Sequence, residues 1–172
     1  LSTSLQQGKI EKWYQAVICG KPVDNNGTYV DYLKQDKKNN CSRIVDKSDP
    51  DGKRAELEYK VLDCIRTEEK DSQYLSLVEI KLLSGRHHQI RVQFSGHGTP
   101  LYGDGKYGNN EKAVRKSLAL CACHLKFKHP ATGKIMDFQI KPDTGAFKLF
   151  SKSIGVQGVQ TRLKRNVRFE SK

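Results

Sequence analysis

Apolar residues in this chain recur mostly at every second position, the spacing of β-strands, and one stretch only recurs at helical spacing. Lys12 to Cys19 is apolar on both faces, with Tyr14, Ala16 and Ile18 pointing one way and Trp13, Val17 and Cys19 the other. A sheet covered on two sides is therefore expected there. Ala55 to Leu62 alternates, Ala55, Leu57, Tyr59 and Val61 against Glu56, Glu58 and Lys60. Gln73 to Leu83 repeats the pattern through Tyr74, Val78, Ile80 and Leu82, and the two strands are expected to pair antiparallel across the polar turn Thr67 to Ser72. Ser117 to Lys128 and Lys134 to Lys141 read as two further strands joined by His129-Pro130-Ala131-Thr132-Gly133.

Residues 24 to 54 are mostly polar and read as a surface excursion, with one short element around Tyr29, Val30, Tyr32 and Leu33. After the break at Ser84-Gly85, His87 to Ser95 fits a short helix closed by Gly96. In it Ile90 and Phe94 face the core, while His87 and Arg91 share another face. Gly98 to Gly108 is expected to be an ordered loop. Strands joined mostly by turns, with few flanking helices, give an α+β domain on a mixed, mostly antiparallel sheet. That domain is expected to span residues 1–146, followed by a basic extension, 147–172, that contains Arg162, Lys164, Arg165, Arg168 and Lys172.

Charge narrows the partners. The 172 residues hold 31 Lys and Arg against 19 Asp and Glu, a formal charge of +12. That excess favours a polyanion, nucleic acid or an acidic membrane. At 36% hydrophobic residues the chain has no apolar run approaching the ~20 residues of a membrane span. No segment reads as a long amphipathic helix with aromatics on one face, which disfavours a membrane-surface role. The five cysteines, Cys19, Cys41, Cys64, Cys121 and Cys123, are odd in number and form no Cys-x-x-Cys pair. They are expected to be free thiols in a reducing cytoplasm. The sequence opens at Leu1 and its single methionine is Met136, so a piece of a longer chain is expected.

The densest group of functional side chains is Ser84-Gly85-Arg86-His87-His88-Gln89-Ile90-Arg91. A strand that ends in glycine and turns into a helix offers free N–H groups to an anion, and two arginines and two histidines strengthen that reading. A basic helix start paired with nearby acids is the equal alternative. His87 and His88 would point apart on a helix, which disfavours a metal site. Cys121 and Cys123 share a strand face with Leu125 and read as packing. Gly103-Asp104-Gly105-Lys106-Tyr107-Gly108 lacks the length and the Gly-Lys-Ser/Thr ending of a phosphate loop.

The stretch SGRHHQIRVQFSGHGTPLYGDGKYG, Ser84 to Gly108, resembles the signature of the RluA family of pseudouridine synthases: Gly-Arg-x-His-Gln-Ile/Leu-Arg, then Gly-x-Pro, then Gly-Asp-x-x-Tyr-Gly. EKWYQAVICG is similar to the family's Lys-x-Tyr-x-Ala-x-Val-x-Gly strand, and LALCACHLKFKHPATGK to its Phe-x-His-Pro-x-Thr-Gly hairpin. The resemblance runs in order from about Lys12 to Pro142. It implies a pseudouridine synthase-like catalytic domain that isomerises uridine to pseudouridine in rRNA or tRNA, with no metal or organic cofactor. It assigns Tyr14 to the target base and Arg91 to the catalytic aspartate, with Arg86, His88, Gln89 and Lys106 as RNA-side residues. A guanidinium can hold a carboxylate bidentately and keep it ionised.

This sequence departs from the family at one essential place. The His-Arg-Leu-Asp-Arg block that carries the catalytic aspartate upstream of the tyrosine strand is absent, and Leu62-Asp63 lacks the preceding His-Arg. Cys121 also stands where the family usually has histidine. The expectation is the C-terminal portion of a catalytic domain, inactive alone. The alternative is a non-catalytic RNA-binding module derived from the same fold.

Overall fold

The computed structural model describes residues 10–68, 74–108 and 116–152. Seven strands form one sheet: β1 (Ile10–Cys19), β2 (Asn26–Asp36), β3 (Cys41–Val45), β4 (Lys53–Arg66), β5 (Tyr74–Leu82), β6 (Leu120–Lys128) and β7 (Ile135–Gln139). Their spatial order is β3-β2-β4-β5-β1-β6-β7, and every pairing is antiparallel. One helix, α1 (Gln89–Gly96), and a 3-10 helix, Gly145–Phe150, complete the described fold. Among the described residues no helix is long and apolar enough to cross a membrane.

The double-faced pattern of β1 has the expected consequence. Ala16 and Ile18, with no exposed surface, join Leu57, Val78, Ile80, Ile90 and Phe94 in a cluster under α1. Val17 and Cys19 face the other way, onto Leu75, Leu77, Phe147 and Phe150. Each side chain of this size contributes ~1.5–3 kcal/mol when fully buried. Because Phe147 and Phe150 are buried here, packing continues past the boundary expected at residue 146, which falls inside the 3-10 helix. The Arg162 to Lys172 stretch and the tip of the turn between β4 and β5 lie outside the described residues.

Residues 24 to 54 correct the sequence reading. They are not an excursion but a hairpin, β2 and β3, added to the sheet edge with Lys34 opposite Arg43 and β2 paired to β4. Only Leu33 and Ser42 of the two strands are buried, so the alternation that marks a core strand is faint. The basic run Lys37-Lys38-Asn39-Asn40 is the hairpin turn. There Asn40 takes φ 48, a left-handed conformation that Asn tolerates, and Asp36 accepts hydrogen bonds from the Asn39 backbone and amide.

Inside the sheet, between β5 and β6, the single tryptophan, Trp13, sits at a register shift in β1. Its ring stacks on His124 of β6 at 4.3 Å, and Lys81 of β5 lies over it at 5.4 Å.

Candidate active site

Two features bring the functional side chains together. One is the start of α1, and the other is the loop 98–108, which runs beside the end of β1. Tyr102 N donates to Val17 O at 2.9 Å, Cys19 N donates to Pro100 O at 2.8 Å, and Leu101 forms a bridge with Ile18. The loop is ordered, as its glycine and proline content suggested. Gly103 adopts φ +76, and a Cβ there would stand 2.3 Å from Ser117 O.

Arg91 is the geometric centre. Its Nε donates to Asp104 Oδ2 at 2.8 Å and its Nη2 to Asp104 Oδ1 at 2.7 Å, a side-on bidentate pair. The carboxylate partner of Arg91 in this structure is thus a residue of the chain itself, 13 positions on, in the Gly-Asp-x-x-Tyr-Gly motif. The family resemblance had pointed for that partner only to the absent block. Asp104 is 1% exposed and also accepts the backbone N–H groups of Lys106 and Tyr107. Burial alone would raise its carboxyl, but the guanidinium and those N–H groups outweigh it and hold the carboxyl below its ordinary range.

The guanidinium of Arg91 lies over the Tyr107 ring, 4.9 Å from its centroid, and Nη1 is 3.5 Å from His88 Nε2. His88 Nδ1 is 2.8 Å from Tyr107 Oη, which also accepts the Ser42 N–H at 2.9 Å. One assignment satisfies this chain of contacts: a neutral His88 that donates from Nδ1 to Tyr107 and turns Nε2 toward Arg91. Burial, with His87 and Arg91 adding to it, lowers the His88 pKa and favours that neutral form.

His88 precedes the helix with φ 53, so α1 starts at Gln89 rather than at His87. This left-handed turn stacks the His87 and His88 rings at 3.9 Å, where a continuous helix would have splayed them. Arg91 accordingly meets His88, not His87. His87 instead reaches the β2–β3 hairpin, with Nδ1 3.0 Å from Ser42 Oγ and Nε2 3.1 Å from Asn40 Oδ1. Lys106 binds the same turn, donating to Asn40 O at 2.8 Å.

The other expected residues are placed as follows. Gln89 is 3% exposed and fully engaged: its Oε1 accepts from Ser84 Oγ and Arg86 N, and its Nε2 donates to Glu56 O. Arg86 is exposed and donates Nε to the Arg54 carbonyl at 2.9 Å. Tyr14 lies half-buried on the helix-bearing face of the sheet, against the cluster that contains Ile90, and burial raises its phenol. Its hydroxyl makes no hydrogen bond among the described residues. Cys123 is buried, and that burial pushes its thiol up to about 12, so it is inert packing. Among the described residues no group of three His, Cys, Asp or Glu side chains could hold a metal ion. Asp104, Tyr107 and Ser42 were given no role from sequence, although the Gly-Asp-x-x-Tyr-Gly motif contains the first two.

The fold and these motif residues define the class. The family model described as RNA pseudouridylate synthase matches residues 1–96, and the chain belongs to that family. It is 35% identical, over 81% of its length, to an uncharacterized RNA pseudouridine synthase, YlyB, of Bacillus subtilis. It is 33% identical, over 80% of its length, to ribosomal large subunit pseudouridine synthase D of Zymomonas mobilis. The chain spans 43% of the length of each of these two relatives. Among solved structures, human RNA pseudouridylate synthase domain containing 1 shares the fold, with a TM-score of 0.69 at 18% identity, covering 89% of this chain and 69% of that one.

Proposed function

We propose that this chain is the C-terminal portion of the catalytic domain of an RNA pseudouridine synthase, acting on structured RNA in the cytoplasm, with rRNA ahead of tRNA. The preference for rRNA rests on the relative from Zymomonas mobilis, whose name specifies the large ribosomal subunit. In the reaction the N1–C1′ bond of uridine breaks and a C5–C1′ bond forms, while C5 loses its proton and N1 gains one. A stacked uridine must first be turned out of its helix, at a cost of a few kcal/mol.

One observation carries this reading. Asp104 occupies the Nε and Nη2 side of Arg91, on the face of the sheet that bears Tyr14, and leaves Nη1 at the mouth of α1 with His88 Nε2 3.5 Å away as its neighbour. A second carboxylate, from the aspartate block that the family places upstream, would share Nη1, which carries two hydrogens, with His88. Tyr14 offers a half-buried ring for the target base and an unengaged hydroxyl. Arg86, and the His88 edge beside Arg91, would meet the RNA, whereas Gln89 and Lys106 act by holding the turn and the hairpin.

A second reading, a non-catalytic RNA-binding module, is favoured by the same ion pair, since Arg91 is already committed to Asp104. The test is tritium release from RNA that contains 5-tritiated uridine, because forming the C5–C1′ bond sends that label to water. The 172-residue chain should release none. A longer polypeptide that adds the His-Arg-Leu-Asp block should release it. No release from the longer polypeptide, with RNA binding intact, would establish the module instead.

A further inference from the structure

An open cleft of about 950 Å³ lies outside the Arg91 site, between the β2–β3 hairpin and the Gly85-Arg86-His87 turn. Cations dominate its walls. Lys37, Arg43 and Lys53 line it with exposed side chains that make no hydrogen bond or ion pair among the described residues. Arg86 adds a fourth cation whose Nε alone is engaged. Lys34 also lines the cleft, but Asp51, 2.9 Å away, offsets it. The remaining carboxylate, Asp36, accepts hydrogen bonds from Asn39, which favour its charged form. Against the five cations the walls carry two carboxylates, Asp36 and Asp51, which leaves a net excess of three positive charges.

The cleft is also fixed relative to the candidate site. His87 lines it and stacks on His88, which touches Arg91. His87 ties the hairpin turn to the start of α1, and Lys106 ties it to the loop that carries Asp104, so the basic wall is joined to both halves of the Arg91 site. We propose that this cleft is a phosphate track: it holds the backbone of an RNA strand flanking the nucleotide that enters the Tyr14–Arg91 site. The proposal rests on the RNA reading above and adds where the strand runs. Charge without bidentate base geometry suits phosphates, which position a nucleic acid without reading its sequence.

The test is fluorescence anisotropy of a labelled RNA stem-loop with single-stranded flanks, titrated with this chain between 50 and 200 mM salt, on the order of the range over which phosphate binding reports. The groove variant carries Lys37→Gln, Arg43→Gln and Lys53→Gln. The control carries Lys126→Gln, Lys128→Gln and Lys134→Gln on the β6–β7 hairpin, at the opposite sheet edge, and thus loses the same charge. The groove variant should bind at least tenfold more weakly, and its log–log salt slope should shrink by roughly 2, at about 0.7 for each phosphate that is no longer neutralised. Placing Lys at position 43 of that variant, as Arg43→Lys, should restore part of the slope. Equal losses in groove and control variants would reduce the effect to net charge and overturn the track. An unchanged groove variant would overturn it while leaving the RNA reading standing. If the wild-type chain fails to bind RNA at all, both fall. If the groove substitutions abolish binding to anionic phospholipid vesicles and spare RNA, the surface belongs to a membrane and the track is overturned.

Discussion

Asp104 and Arg91 show how one buried carboxylate can organise a site. With Asp104 1% exposed and Arg91 largely covered, removing either partner strands the other in a poorly solvated place. Asp104→Asn should therefore destabilise the chain by ~3 kcal/mol, the lower end for a broken buried pair, as read from urea unfolding. The pH dependence has a definite sign. A carboxyl lowered in the folded state stabilises fully above its unfolded pKa of about 3.9 and loses that contribution as pH falls through the folded value. The wild type should thus lose stability below about pH 4 more steeply than Asp104→Asn, which a urea midpoint series from pH 7 to pH 3 would show. Equal slopes would mean that Asp104 is not ionised in its pair. Tyr14 separates differently. In a longer, active polypeptide Tyr14→Phe should keep RNA affinity within twofold or so, while Tyr14→Ala loses the base-stacking surface worth ~1–3 kcal/mol.

Local backbone conformation decides whether these side chains meet. Gly98 and Gly103 both have positive φ, +78 and +76, yet a Cβ on Gly98 would find open space and one on Gly103 would strike the Ser117 carbonyl. Gly98→Ala should cost only the ~1 kcal/mol of a left-handed alanine. Gly103→Ala should cost more than twice that and loosen the loop that carries Asp104, a contrast that thermal unfolding of the two variants would measure. The same scale explains what was legible in the sequence. β1, β4 and β5 could be read because both their neighbours and their alternation are apolar. β2 and β3 could not, because an edge hairpin buries one residue in each strand and its turn is a run of lysine and asparagine. The stacked His87 and His88 were missed because a helical spacing rule cannot foresee a left-handed residue at position 88. The Arg91–Asp104 pair was hidden by a loop of glycines that resembled, at first sight, a truncated phosphate motif.

Across the whole molecule, the sheet separates two tasks. The cluster under α1 sets the height of Tyr14 and Arg91, and the cluster around Phe147 and Phe150 closes the opposite face. Phe94→Ala, at the centre of the first cluster, should cost ~3–5 kcal/mol. Stability and function should then fail together in that variant, whereas the exposed groove substitutions should leave the melting temperature within a degree or two. The positive charge was visible in the composition, but its concentration between a hairpin and a helix start was not, since residues 37, 43, 53 and 86 converge only through the β2–β3–β4 pairing.

The stacking of Trp13 on His124 gives the chain a built-in optical reporter. One indole means one emitter, and its position at the β1–β6 seam makes its signal local. Pulling β6 away from β1 would part the two rings and expose the indole to water, shifting its emission to the red. Stopped-flow traces excited at the tryptophan band would time the opening of that seam, without any dye, against circular dichroism of the whole sheet.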